Sequence, residues 1–338
     1  MKTSRELVYE TLEYRNPERA PRDLWILPWA EMKYSEELKK IQESYPGDIV
    51  HAPGFLRENP VTKGDPYKKG HHTDEWGCLF ENKTDGIIGE VKEAIVSSDD
   101  EEWEDTSRVH IPVEWLTIDK EKINTFCSET DKFVLAGACP RPFEQLQFIR
   151  GTEQLYMDLM FEPEGLKSFM KKMHIFYCQL LTAWAETDVD ALMIMDDWGA
   201  QQSLLINPEL WEEIFKPLYK DYIDIAHAHR KKIFMHSDGN ILQIIPHLID
   251  LGLDAVNSQL FCMGLANLEQ FSGKITFWGE MDRQHLLPYG SVEDIEEAVT
   301  SVRSSLWKKG GCIAQCEFGP GAKPINVAAV FSAWSGLF

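Results

Sequence analysis

The chain is short of basic residues: 34 Lys and Arg stand against 55 Asp and Glu in 338 residues, a formal charge of −21. A surface of that sign repels phosphate backbones and anionic lipid headgroups, which excludes nucleic-acid and anionic-membrane partners as first readings. No stretch approaches the about 20 consecutive apolar residues of a spanning helix. The opening Met-Lys-Thr-Ser-Arg-Glu lacks an apolar signal core, so the expected location is the cytoplasm. Cysteine is also sparse. Seven residues, an odd number without framework spacing, fit reduced thiols rather than disulfides. Internal repeats, low-complexity tracts and compact zinc-binding spacings are missing as well.

What the chain does have is enough apolar residues, 43%, for a substantial core. Eight short apolar runs alternate with longer amphipathic segments: residues 23–28, 48–53, 133–138, 190–195, 232–236, 254–258, 275–279 and 312–316. Eight parallel strands separated by helices predict a closed (βα)8 barrel, a TIM barrel, in the α/β class. Helix starts are legible at Pro163-Glu164, at the N-cap Asn207 before Pro208, whose run extends to about His229, and at the capping box Ser291 to Asp294. Between strands two and three, residues 59–112 are polar and Gly-rich, with alternation over 86–96. They read as a β-hairpin insertion capping the barrel. The expected organisation is one domain, 1–338, with 59–112 as the inserted cap.

The most informative segment is Phe234-Met-His-Ser-Asp-Gly-Asn240, a strand ending in His-x-Asp before a helix expected from Ile241. Residues two apart on a strand face the same way, so His236 and Asp238 project together at the rim where barrel enzymes keep their chemistry. Glu280 and Cys316 close two later strands on the same rim. Imidazole, carboxylate and thiolate are ordinary zinc donors, which makes His236, Glu280 and Cys316 a candidate catalytic metal site. Each has a plainer reading: a hydrogen-bonded histidine, a carboxylate in a salt bridge, a buried small hydrophobe. Asp238 is open between metal ligand, a partner that orients His236, and N-cap. Asp196 and Asp197, after strand four, are candidates for general acid, substrate anchor or turn. Asn257 and Gln259 end strand six, and Trp25, Trp29, Trp76 and Trp198 lie near the rim, lining a pocket or packing.

The chain resembles the uroporphyrinogen decarboxylase superfamily, which includes the cobalamin-dependent methyltransferases. The likeness is carried by Asp197-Trp-Gly-Ala-Gln-Gln, Asn207-Pro-Glu-Leu-Trp, His236-Ser-Asp-Gly-Asn-Ile, Gly252-Leu-Asp-Ala-Val-Asn-Ser-Gln259 and Phe277-Trp-Gly-Glu-Met-Asp-Arg-Gln284 with Leu287-Pro288. Gly310-Gly311 before the last strand adds to it, and it runs from about Asp74 to the C-terminus. The resemblance implies the same (βα)8 barrel. Decarboxylases of the superfamily bind their polycarboxylate substrate through arginines after the first strand, but here Leu24 to Glu31 contains none. The methyltransferase branch carries zinc through His-x-Cys and a later Cys. Asp238 replaces the first of these, and either Cys316 or Glu317 takes the place of the last. A harder donor set suits oxygen rather than sulfur. The resemblance therefore implies transfer of a methyl group from a methoxylated aromatic to cob(I)alamin, that is, O-demethylation. Zinc would be held by His236, Glu280, Cys316 and Asp238, with Asp196 or Asp197 catalytic and Asn257, Gln259 and Trp29 at the substrate. The chain has no Asp-x-His-x-x-Gly cobalamin motif, so cobalamin is expected on a separate corrinoid protein. A homodimer is compatible with this reading. Transfer from methylcobalamin to a thiol or folate, or a scaffold without catalysis, are the alternatives.

Overall fold

The computed structural model describes residues 2–337. Its barrel strands are β1 (Arg22–Ile26), β2 (Ile49–His51), β6 (Phe133–Leu135), β7 (Ala191–Met195), β8 (Lys232–Ser237), β9 (Ala255–Ser258), β10 (Thr276–Trp278) and β11 (Cys312–Phe318). Between β2 and β6 lie β3 (Gly70–Thr73), β4 (Leu79–Asn82) and β5 (Glu90–Glu93). The barrel order is β1-β11-β10-β9-β8-β7-β6-β2, with neighbouring strands in that order parallel. Each strand overlaps one of the eight apolar runs. Runs such as Ala-Leu-Met-Ile-Met carry no alternation because both faces are covered, one by the barrel interior and the other by helices.

The pleat divides these side chains into two apolar layers. Ile49, Phe133, Leu135, Ala191, Met193, Phe234, Ala255, Trp278 and Ile313 fill the interior. Their neighbours Val134, Leu192, Ile194, Ile233, Met235, Val256, Phe277, Ala314, Cys316 and Phe318 face the helices. The N-terminal helix Ser4–Leu12 contributes Val8 and Leu12 to the interior layer, closing the lower end of the barrel.

Asp48 completes the circle where β1 meets β2. Its backbone N–H donates to the Arg22 carbonyl at 2.8 Å. Its carboxylate accepts from the Arg22 N–H at 2.7 Å, from both terminal nitrogens of Arg19 at 2.7 and 2.8 Å, and from the Ser4 hydroxyl at 2.6 Å. A carboxylate that is 1% exposed is tolerable only with such a full set of donors.

Three local expectations change. The insertion is a three-stranded antiparallel sheet, not a hairpin: 86–96 supplies only β5, while Gly-His-His-Thr of β3 has no apolar alternation to announce it. The segment after Asn207 forms two helices, Pro208–Ile214 and Lys216–Ala228, because Pro217 cannot donate to the preceding turn. The helix expected from Ile241 begins at Ile245, four residues farther from His236 and Asp238. The capping box at Ser291 and Asp294 is present, and Glu164–Ala185 forms one long helix. Trp76, Cys78 and Phe80 of the insertion are buried in the same apolar cluster as Phe176 and Tyr177 of that helix.

Removing the Asp48 carboxylate takes the acceptor from the Arg19 guanidinium, the Arg22 N–H and the Ser4 hydroxyl. Asp48→Ala is expected to lower unfolding free energy by about 3–5 kcal/mol in urea titrations, whereas a loss below about 1 kcal/mol would deny it a role in closing the barrel.

Candidate active site at the barrel rim

Parity decides which rim residues can meet. His236 pairs in register with Met195 and Asn257, and all three face the interior. The Asn257 amide donates to the Trp278 carbonyl, which leaves its Oδ1 to accept from His236 Nδ1 at 2.6 Å. The imidazole proton is thereby placed on Nδ1, and the lone pair of Nε2 points along the rim. Two carboxylates converge there: Asp197 Oδ1 lies 3.7 Å and Asp238 Oδ1 3.6 Å from Nε2. These three atoms lie within 4.8 Å of one another, a spacing that fits a single metal ion. The Trp25 ring packs on the imidazole with centroids 5.1 Å apart.

Two glycines bring the acidic loops together. A Cβ on Gly239, whose φ is +75°, would meet the Gly199 carbonyl oxygen at 2.0 Å, and one on Gly199 would meet Asn240 N at 2.3 Å. Only bare backbone allows that approach. The Asp238 N–H then donates to Asp197 Oδ1 at 3.0 Å, and the Gly199 N–H to the Asp238 carbonyl at 3.0 Å.

The remaining expected residues are placed differently. Cys316 pairs with Leu24 and lies in the helix-facing layer, fully buried, and burial pushes its thiol well above the usual range. The strand's parity takes it away from Asp197, His236 and Asp238. Glu317, the next residue, pairs with Trp25 and lines the cavity. Glu280 reaches the rim but not the cluster: its Oε1 lies 3.2 Å from Arg283 Nε. Arg283 also bonds Asp238, and its Nη1 lies 3.2 Å from Glu317, so one guanidinium serves three carboxylates. Burial outweighs this partner and, with Asp238 and Glu317 nearby, raises the Glu280 carboxyl to about 8.

Asp196 points outward from the barrel interior. It accepts the backbone N–H groups of Phe143 and Glu144 at 3.1 and 2.8 Å, at the start of the helix Pro142–Arg150, together with the Tyr219 hydroxyl. It anchors that helix and does not reach the cavity. Asn257 is fully buried and positions His236, so it is not a substrate contact. Gln259 lies 3.5 Å from Asp238 Oδ1 and lines a separate 210 Å³ pocket. Trp29 latches the insertion to the rim: its N–H donates to the Gly86 carbonyl at 3.2 Å and its ring packs on Tyr34. Trp76 and Trp198 are core residues, with Trp198 Nε1 donating to Tyr219 at 2.9 Å.

The insertion and the rim enclose a cavity of about 1210 Å³. Its lining combines Asp197, Asp238 and Glu317 with Leu27, Phe80, Trp115, Phe148 and Leu180. Residues not foreseen are Arg141 and Glu144, paired at 3.1 Å on the cavity wall. Burial, reinforced by Asp197, raises the Glu144 carboxyl although Arg141 opposes it. The sequence signal was present in Pro140-Arg-Pro-Phe-Glu144, charges directly after an apolar strand.

The raised Glu280 carboxyl makes stability depend on pH. Between its ordinary 4.5 and about 8, the folded form keeps a proton that the unfolded form has lost, so its contribution falls as pH rises through that window. Glu280→Gln is expected to gain Tm relative to the parent protein from pH 5 to pH 8 and no further above it. A difference independent of pH would mean the carboxyl is ionised throughout.

Residues 75–336 match the family described as "Uroporphyrinogen decarboxylase (URO-D)". None of the curated proteins matches the chain. Among solved structures, a methyltransferase from Methanosarcina mazei aligns over 100% of this chain and 99% of its own, with a TM-score of 0.70 and 14% identity. That likeness is one of fold. A B12-independent methionine synthase from a Shewanella species aligns over 94% of this chain and 93% of its own, with a TM-score of 0.41 and 12% identity. A glycosylated endo-β-1,4-xylanase from Gloeophyllum trabeum aligns over 63% and 79%, with a TM-score of 0.40 and 10% identity. With the family matched over most of its length, the chain belongs to the uroporphyrinogen decarboxylase family.

Proposed function

We propose that this chain is a methyltransferase of the corrinoid-dependent kind, taking a methyl group from a methoxylated aromatic and passing it to the cob(I)alamin of a separate corrinoid protein. The observation that carries the reading is the convergence of Asp197, His236 and Asp238, with the His236 Nε2 lone pair directed between the carboxylates. In this reading His236 and Asp238 remain zinc ligands and Asp197 joins them in place of Glu280 and Cys316. One nitrogen and two oxygens form a harder set than thiolates do, which favours an oxygen substrate over a thiol. Zinc held there supplies a Lewis acid for an ether oxygen.

The other cavity residues have consistent roles. An aryl methyl ether leaves as a phenolate, the conjugate base of a phenol of pKa about 10, so its oxygen needs a proton or a positive charge. Glu144 lines the cavity beside Asp197 and keeps its proton at higher pH than an ordinary glutamate, which equips it to donate to that oxygen. Asn257 holds His236 in one tautomer. The apolar wall of Leu27, Phe80, Trp115, Phe148 and Leu180 suits an aromatic ring. A polycarboxylate substrate is disfavoured because Arg141 and Arg283 are already engaged by carboxylates. The likeness of fold to the Methanosarcina methyltransferase adds support.

The test combines metal analysis with turnover. Protein purified without an affinity metal is expected to hold one zinc at the rim that His236→Ala loses and Cys316→Ala keeps. Loss of cob(I)alamin absorbance with methoxylated aromatics is expected to slow by about a thousandfold or more in His236→Ala, several kcal/mol of barrier. Unaltered zinc in His236→Ala, or zinc lost in Cys316→Ala, would overturn this ligand set. Zinc present without methyl transfer from any methoxylated aromatic would overturn the reaction.

A further inference from the structure

On the outside of the barrel, the helix Glu164–Ala185 lies beside the helix Lys216–Ala228. His174 and Cys178 are one turn apart on the first and share a face, and Asp221 reaches across from the second. His174 Nε2 lies 2.9 Å from Asp221 Oδ2 and 3.6 Å from Cys178 Sγ. One donor atom from each residue falls within 4.8 Å of the others. We propose that His174, Cys178 and Asp221 form a second metal site, for a divalent transition cation of the zinc class, that clamps these two helices together.

Three features favour a cation over a simple hydrogen-bonded cluster. The donors are an imidazole, a thiol and a carboxylate, the mixed set that zinc accepts in tetrahedral sites. The ring is already oriented: His174 Nδ1 lies 3.2 Å from the hydroxyl of Tyr222, which is itself fully buried, so Nε2 is held toward Asp221 and Cys178. The fourth position opens into a surface groove that Ile175, Gln179 and Thr182 line with His174 and Cys178, leaving space for water or a further ligand. Binding converts the Cys178 thiol to a thiolate and releases its proton to solvent, with no change of oxidation state. Because both helices are bridged only in the folded chain, binding there stabilises the fold. This site does not depend on the proposed methyl transfer.

Cobalt(II) separates the two sites, because a thiolate ligand gives a near-ultraviolet charge-transfer band and the rim ligands Asp197, His236 and Asp238 include no sulfur. Titrating full-length metal-free protein with cobalt(II) is expected to produce that band, which saturates at one cobalt per chain once the rim site is removed in His236→Ala. It should persist in His236→Ala and vanish in Cys178→Ser. Asp221→Asn, an exposed and conservative change, is expected to raise the cobalt needed by about tenfold or more, corresponding to about 1.4 kcal/mol. Absence of the band in the parent protein, its persistence in Cys178→Ser, or its loss in His236→Ala with retention in Cys178→Ser would each overturn the proposal. Failure of methyl transfer with the band intact would bear only on the rim.

Discussion

Two-residue alternation along the barrel strands governs the molecule. On β11, Ile313 and Glu317 face inward while Ala314, Cys316 and Phe318 face the helices. On β8, Phe234 and His236 face inward while Ile233 and Met235 do not. Lateral register then joins inward residues into rings, so that Met195, His236 and Asn257 share one level. The hydrogen bond from His236 to Asn257 follows from this register, and the direction of Nε2 follows from that bond. A slip of one residue on β8 would turn the imidazole into the helix layer.

Electrostatics at the rim follow from crowding carboxylates just beyond that level. Asp197 and Asp238 flank His236, while Glu280 and Glu317 gather around Arg283 and Glu144 around Arg141. Two arginines do not neutralise five carboxylates. Burial first, and the neighbouring carboxylates after it, raise the Glu144 and Glu280 carboxyls, and on the proposed reading a cation sits between Asp197 and Asp238. The chain's overall charge of −21 has the same sign as this local excess.

Strand number, barrel class and family were legible because apolar runs and rim motifs are local signals. His236, Asp197 and Asp238 drew notice for the same reason, Asp197 as a catalytic candidate and the other two as metal candidates. Cys316 and Glu317 could not be separated in the sequence, since a one-residue uncertainty in where a strand ends exchanges its two faces. Asp196 and Asp197 show the same ambiguity, and only the fold reveals that the first anchors the helix at Pro142. The cost of burying Glu280 was readable, as was the salt-bridge alternative. Its partner Arg283, three residues on, becomes visible only when the turn folds back. The insertion escaped a full reading because β3 is too polar to show a pattern.

The N-terminal helix gives the cavity a direction of traffic. With Val8 and Leu12 filling the lower end of the barrel beside Ile49 and Phe133, the cavity beside Asp197 and Asp238 lies at the upper end, beneath the insertion. A protein partner seated over that mouth would hold back whatever lies below it. On the proposed reading, arrival and departure would then acquire an order: the small molecule enters before the partner docks, and its remnant leaves after the partner has gone.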